Sequence, residues 1–333
     1  MTVLIITTAH WDGDPRLNRH VRYLEAAGWE AELLSLSGKS GRIRNLFRAL
    51  AAIGRVKPDA VILPDPELFV LGSLWARLRG VRAVIDVHEN YGQAAVSRAW
   101  IPKVLKPMVG AVATINDRLG RKLADSTIVA ASELGSPGSH VVLNIPDPSD
   151  FVPGPVLENP KAVYVGDVTV ARGAIEIAEL ARAIPEVRIL VIGPASEELK
   201  REMKEIAGPN SDLELAGKLP HQEAWDRARG SLAGLSLLRP FPAYREAVAT
   251  KLWEYCAAGL PPVVTDLPGQ RRFVSRIDPD LVGADVAAIT RVLRALHTNE
   301  GWRQRSADAA RALAIQGWDE HRPDLAIQRA VKP

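Results

Sequence analysis

Short runs with an unbroken apolar centre recur along this chain, each followed by a stretch with helical spacing. Residues 3–7 (VLIIT), 60–64 (AVILP), 82–86 (RAVID), 162–166 (AVYVG), 188–193 (RILVIG) and 262–265 (PVVT) are of this kind. A strand covered on one face alternates apolar with polar residues, so an uninterrupted run must be covered on both. Strands of that type alternating with helices predict a doubly wound parallel sheet. The alternation occurs twice in 333 residues, a length that supports two domains with separate cores.

In the first half the expected strands are 2–8, 30–36, 59–64, 82–89, 111–115 and 126–132. A helix opens at Asp14-Pro15-Arg16, with aspartate as cap and proline in the first turn, and Gly28 ends it. A second helix covers 66–80, and another starts at Asn116. Residues 133–161 are rich in Pro, Gly, Ser and Asp, which places a linker near 146–160. The second half is read as strands at 162–167, 187–193, 213–217, 233–238 and 261–266. Helices at 173–184, 196–207 and 221–229 separate them, and further helices close the chain. The expected division is 1–150, 151–315 and a terminal segment 316–333.

Composition narrows the function. Of 42 Lys/Arg and 39 Asp/Glu, residues 1–150 hold 18 and 15 and the remainder 24 and 24. An excess of three cations is too small to argue for nucleic acid. A lone cysteine, Cys256, excludes an intrachain disulfide and fits a reducing, cytoplasmic setting. The opening MTVLIITTAH lacks a basic leader and reads as a strand. No window reaches the length of a membrane-spanning helix. No Cys/His spacing of a metal site appears, and no D-x-D in a metal-binding context, so no metal is expected.

Residues 244–269 (YREAVATKLWEYCAAGLPPVVTDLPG) concentrate the chemistry. A helix starting near Thr250 directs its free N–H groups at the preceding loop, an anion site. Glu254 lies about one turn into that helix, and Glu246 sits on the loop that enters it. A lysine near a helix start, here Lys251, opposes the helix dipole unless an anion is bound.

This stretch resembles the E-x7-E signature of retaining, GT-B-fold glycosyltransferases, in particular glycosyltransferase family 4. The likeness rests on the Lys before the helix, on E-Y-x-A-A-G-x-P, on the paired valines and on Asp-x-Pro-Gly. It extends to residues 58–91 with their D-x-H-E, to VVLNIPD (141–147), AVYVGDVTVARG (162–173) and LPHQE (219–223). The resemblance implies two Rossmann-like domains facing across a cleft, an acceptor domain followed by a donor domain. It also implies a final helix, within 317–331, crossing back to the first domain.

The resemblance further implies transfer, with retention, of a hexosyl or N-acetylhexosaminyl group from a nucleoside diphosphate sugar, UDP- or GDP-linked, to a hydroxyl acceptor. Glu254 then binds the ribose, Glu246 the transferred sugar, and Ala249 and Thr250 lie against the diphosphate, with Gly166 opening the donor domain. Arg172 and Lys251 supply charge for the leaving group, and His88 approaches the donor sugar. Asp14, Arg16 and Glu89, at strand ends, are acceptor-side candidates. Asp167 stands where the family carries an arginine, a departure that leans towards a non-catalytic nucleotide-sugar-binding protein; a nucleotide-sugar epimerase of the same fold is the other alternative, against which the A-A-G-x-P helix argues.

Residues 39–57 carry six Lys/Arg and no acid, with Ile43, Leu46, Phe47, Leu50 and Ile53 on one helical face. Two readings fit: a core helix with a solvated basic edge, or an amphipathic helix lying peripherally on an anionic membrane.

Overall fold

A computed structural model describes residues 1–38, 41–92, 101–156 and 158–332. The chain divides into two compact units, one of residues 1–144 with 321–333, the other of residues 145–320.

Unit 1 is built on a six-stranded sheet of β1 (Thr2–Thr7), β2 (Glu30–Ser35), β3 (Ala60–Leu63), β4 (Arg82–Val87), β5 (Ser126–Val129) and β6 (His140–Val141). The order is β2-β1-β3-β4-β5-β6 and every pairing is parallel. The alternation of side chains across the sheet sets its two faces. Leu4, Ile6, Val61, Leu63, Ala83 and Ile85 pack on Ala49 and Ile53 of α2 (Arg42–Val56) and on Leu68, Phe69 and Ala76 of α3 (Pro66–Leu78). The helix α1 (Pro15–Glu25) is absent from that cluster and packs with α12 (Pro323–Val331), which also contacts β5 and β6.

Two expectations are corrected in this unit. Residues 111–115 are not a strand but the middle of α4 (Lys106–Leu123). A five-residue apolar run does not distinguish strand from helix. Here Thr114 Oγ1 donates back to the Gly110 carbonyl at 2.8 Å, and Gly120 seats the helix directly on Phe69. The segment 317–331 is also not one helix. It contains the end of α11 (Glu300–His321) and all of α12, separated at Arg322, which has a left-handed φ of 39° ahead of Pro323.

Unit 2 carries β7 (Lys161–Val165), β8 (Arg188–Ile192), β9 (Leu213–Gly217), β10 (Ala233–Ser236), β11 (Pro262–Thr265) and β12 (Val282–Gly283). All pair parallel in the order β9-β8-β7-β10-β11-β12, so the first strand lies next to the fourth and the order reverses between β7 and β10. In open sheets of this type ligands bind beyond the carboxyl ends of the strands flanking that reversal. The helices are α5 (Ala174–Ala183), α6 (Glu197–Ala207), α7 (His221–Ala228), α8 (Thr250–Ala257), α9 (Pro268–Val274), α10 (Val286–Thr298) and α11.

Tyr255 fixes α8 against this reversal. Its hydroxyl donates to the Leu235 carbonyl on β10 and accepts from the Val165 N–H at the end of β7, both at 3.0 Å. Gly234 leaves room for the ring, since a Cβ there would enter it. Trp225 and Phe151 extend the aromatic stack edge to face, with centroids 5.9 and 5.0 Å apart. Tyr255→Phe keeps the packing but strands a buried N–H and a buried carbonyl. It is expected to cost unit 2 about 1–3 kcal/mol in urea unfolding. A midpoint equal to wild type would show that α8 is held by packing alone.

Candidate functional site

The residues expected to bind the donor sit on elements that meet at the β7/β10 reversal. β7 ends at Val165, and Gly166 follows with φ 137°, a conformation that side chains rarely adopt. A Cβ on Gly166 would lie 3.2 Å from Lys251 Nζ, so glycine gives that ammonium its place. Gly173, with φ 89°, ends the turn of Val170–Arg172 and lies tight against the Leu237 carbonyl, where no side chain fits.

Lys251 is 8 % exposed, and its Nζ stands 3.6 Å from the centroid of the Tyr164 ring. It has no hydrogen-bond acceptor among the described residues. Burial, then the Arg172 charge, pushes its pKa down to about 7, against smaller upward pulls from Glu254 and Asp167. A buried cation held only by a ring face is costly. The helix start beside it has no side-chain cap: Ala249 is the N-cap, with extended φ and ψ of −66° and 140°.

Glu254, one turn further on, has a side chain 12 % exposed, with His221 Nε2 at 3.9 Å. His221 was not singled out from the sequence. Its Nε2 accepts from Trp225 Nε1 at 3.2 Å, which fixes the ring beside the carboxylate. Arg172 Nη1 is 3.3 Å from Asp167 Oδ2, both partly exposed. Asp167, the residue that departs from the family pattern, therefore holds the nearest arginine of this group. Lys251, Arg172, Asp167, Glu254 and Gly166 are thus brought together. Glu246 is 61 % exposed and paired with Arg272 at 3.2 Å and Arg245 at 3.9 Å.

In unit 1 a second group forms at the carboxyl ends of β1, β3 and β4. Asp86, fully buried on β4, takes Arg16 in a bidentate pair, Nη2–Oδ1 at 2.7 Å and Nε–Oδ2 at 3.1 Å. His88 Nε2 is 2.9 Å and His20 Nδ1 3.6 Å from the same carboxylate. Burial opposes the Asp86 charge, but Arg16 and His88 overcome it and hold its carboxyl well below the usual range. His20 is buried and uncharged, its pKa pushed down to about 3 by burial and Arg16.

Arg16 was expected on the acceptor side. It is instead buried, with its third nitrogen, Nη1, on the Val142 carbonyl at 2.9 Å. Asp14 caps α1 through Oδ1, accepting from the Arg16 and Leu17 amides, and holds His10 Nδ1 on Oδ2 at 2.9 Å. That bond, opposed by burial, raises the His10 pKa. Glu89 is exposed and makes no hydrogen bond with this group among the described residues.

Asp86, Asp65 and His10 were missed as individual residues. Asp86 had a signal, a charge inside an apolar strand. Asp65, in D-P-E, reads as a helix start, and α3 does begin at Pro66. Yet its side chain does not cap that helix. It accepts from Thr7 Oγ1 at 2.8 Å and the Thr8 N–H at 2.6 Å, tying β3 to the loop after β1.

A family model described as glycosyl transferase-like matches residues 174–324, from α5 into the start of α12. No curated protein matches the chain by sequence. Among solved structures, sucrose-phosphate synthase from Thermosynechococcus elongatus has a TM-score of 0.71 at 14% identity, over 98% of this chain and 97% of that one. HepE of Anabaena, in complex with UDP-glucose, has 0.69 at 13% identity, over 99% and 98%. A protein described as a UDP-N-acetylglucosamine 2-epimerase from Listeria monocytogenes has 0.61 at 13% identity, over 98% and 94%. The shared feature is the fold. Two six-stranded parallel sheets with flanking helices give the GT-B architecture that the sequence leads one to expect.

Because the folded pKa of Lys251 lies below its unfolded value, the group costs stability when protonated. The cost is full below about pH 7 and fades as pH rises towards about 10. Lys251→Met is therefore expected to stabilise unit 2 by about 2–4 kcal/mol at pH 7 in denaturant unfolding, with the gain shrinking by pH 10. A variant less stable than wild type at pH 7 would show that the ammonium is satisfied within the fold.

Proposed function

We propose that the protein is a retaining glycosyltransferase of the family 4 type, working in the cytoplasm on a nucleoside diphosphate sugar. The observation that carries the reading is the buried Lys251 ammonium, which has no acceptor among the described residues and stands beside a helix start with no side-chain cap. A diphosphate at that point supplies the missing acceptor, meets the N–H groups of α8 and relieves the conflict between a lysine and the positive helix end. Glu254 then lies one turn along, placed to accept two O–H bonds from the ribose diol. The glycosyl transferase-like match over residues 174–324 includes this helix and both glutamates. A neighbour of the same fold, HepE, binds UDP-glucose, which supports a UDP-linked donor over a GDP-linked one.

In the reaction proposed, the bond between the anomeric carbon and the diphosphate oxygen breaks while the acceptor hydroxyl oxygen bonds that carbon on the same face. The acceptor proton passes to the departing phosphate oxygen. Arg172 and Lys251 offset the charge that builds on the leaving group. For Arg172 this requires exchanging Asp167 for phosphate, a small cost for a partly exposed pair. Glu246 contacts the transferred hexosyl or N-acetylhexosaminyl group once it leaves Arg272. His88 contacts the sugar, and Asp86, whose carboxylate lies 2.9 Å from Nε2, positions it. Asp14 acts through His10, and Arg16 through Asp86.

Charge neutralisation is assigned to side chains, so the rate is expected to survive a chelator. Glu254→Gln should weaken UDP binding about 10- to 100-fold by calorimetry, the effect of losing charge-assisted bonds to the ribose. Glu246→Ala should lower turnover with little change in that affinity. Equal UDP affinity in Glu254→Gln would sink the donor assignment. Incubation with UDP-sugars separates the readings: sugar transfer or slow hydrolysis supports the transferase, an epimeric UDP-sugar supports the epimerase, and binding alone supports neither.

A further inference from the structure

The helices α2, α3 and α4 lie side by side, with α3 in the middle. Trp75 Nε1 donates to the Leu50 carbonyl at 2.8 Å and Asn116 Nδ2 to the Pro66 carbonyl at 2.7 Å, fastening the three together. The apolar stripe expected on α2 divides. Ile53 is buried and Leu46 and Leu50 are half-buried, whereas Ile43 and Phe47 are 75 % and 65 % exposed. The same outward apolar pattern continues across the layer. Leu74 and Leu78 on α3 are 43 % and 70 % exposed, and Val112 and Ile115 on α4 are 61 % and 55 % exposed.

Cations stand among these side chains. Arg44, Arg77 and Arg118 are exposed. The three helices contain only two acids, and neither is exposed. Glu67 is half-buried and accepts from Thr8 Oγ1 at 2.8 Å, and Asp117 is half-buried and paired with Arg121 at 3.0 Å. A surface meant for water carries charges of both signs and little contiguous apolar area. This one carries one sign only, interleaved with aliphatic and aromatic groups.

We infer that the outer face of α2, α3 and α4 docks on an anionic lipid bilayer. The apolar side chains enter the boundary of the acyl region, and the arginines reach the phosphate headgroups with their stems lying along the apolar surface. Nucleic acid answers the cations but leaves the aliphatic groups in water. A second copy meeting the same face across a two-fold axis sets arginine against arginine with no exposed acid to answer it. An anionic bilayer satisfies both halves of the pattern. The inference does not depend on the donor reading.

Co-sedimentation of the whole chain with vesicles tests it. The protein is expected to pellet with phosphatidylcholine vesicles containing phosphatidylglycerol at about 0.1 M salt, and about ten-fold less with phosphatidylcholine alone or at about 0.5 M salt. Three paired changes should each reduce binding about ten-fold: Ile43→Ser with Phe47→Ser, Val112→Ser with Ile115→Ser, and Arg44→Glu with Arg118→Glu. All six positions are exposed, so the thermal midpoint should stay at the wild-type value. No binding to the phosphatidylglycerol vesicles at low salt, or binding unchanged in all three variants, overturns the proposal. So does lipid-independent dimerisation that the same substitutions abolish in sedimentation velocity.

Discussion

An ammonium buried against an aromatic ring, with no acceptor among the described residues, is the constraint around which unit 2 makes sense. The chain spends stability to keep Lys251 in that place. Gly166 clears the space, Tyr164 provides the ring face, and Tyr255 locks the helix that carries the lysine to two strands. Left unpaired, such a group favours its neutral form. An anion at the same point turns the penalty into binding energy. Strain of this kind is what a fold retains at a site and removes elsewhere.

The sheet topologies place both side-chain clusters without special devices. In unit 2 the order reverses between β7 and β10, and Gly166 and the Glu246 loop leave from the ends of those strands. In unit 1 the reversal lies between β1 and β3, and Asp65 bridges them through Thr7 and Thr8. Beside it, Asp86 gathers Arg16, His88 and His20 around one buried carboxylate. Buried charge held by a bidentate partner orients its neighbours even where it adds little net stability.

Much of this was legible in the residues. Uninterrupted apolar runs announced two parallel sheets, and the short helix after Glu246 was visible from Thr250 to Gly259. Elements lacking a period of their own were not legible. Residues 111–115 satisfy strand and helix patterns equally, and packing on Phe69 decides for helix. The split stripe of α2 is equally invisible in one dimension, because a helical wheel cannot say which of two apolar flanks meets the sheet. Arg16 reads as a strand-end cation, and only Asp86, seventy residues away, draws it inward. His10 and Asp65 became functional candidates through contacts across the sheet, which spacing does not encode.

The most direct test of the account is the proton balance of donor binding, since the diphosphate of UDP-glucose does not itself titrate near neutrality. At pH 8 free Lys251 is mostly neutral, because burial pushes its pKa down to about 7. An anion lodged against it restores the charge. Calorimetry at pH 8 in two buffers of different ionisation enthalpy should then show net proton uptake on binding, smaller at about pH 6 and absent in Lys251→Met. Binding of UDP-glucose with an enthalpy independent of buffer at pH 8 would contradict the account, because the diphosphate would then lie somewhere other than beside Lys251.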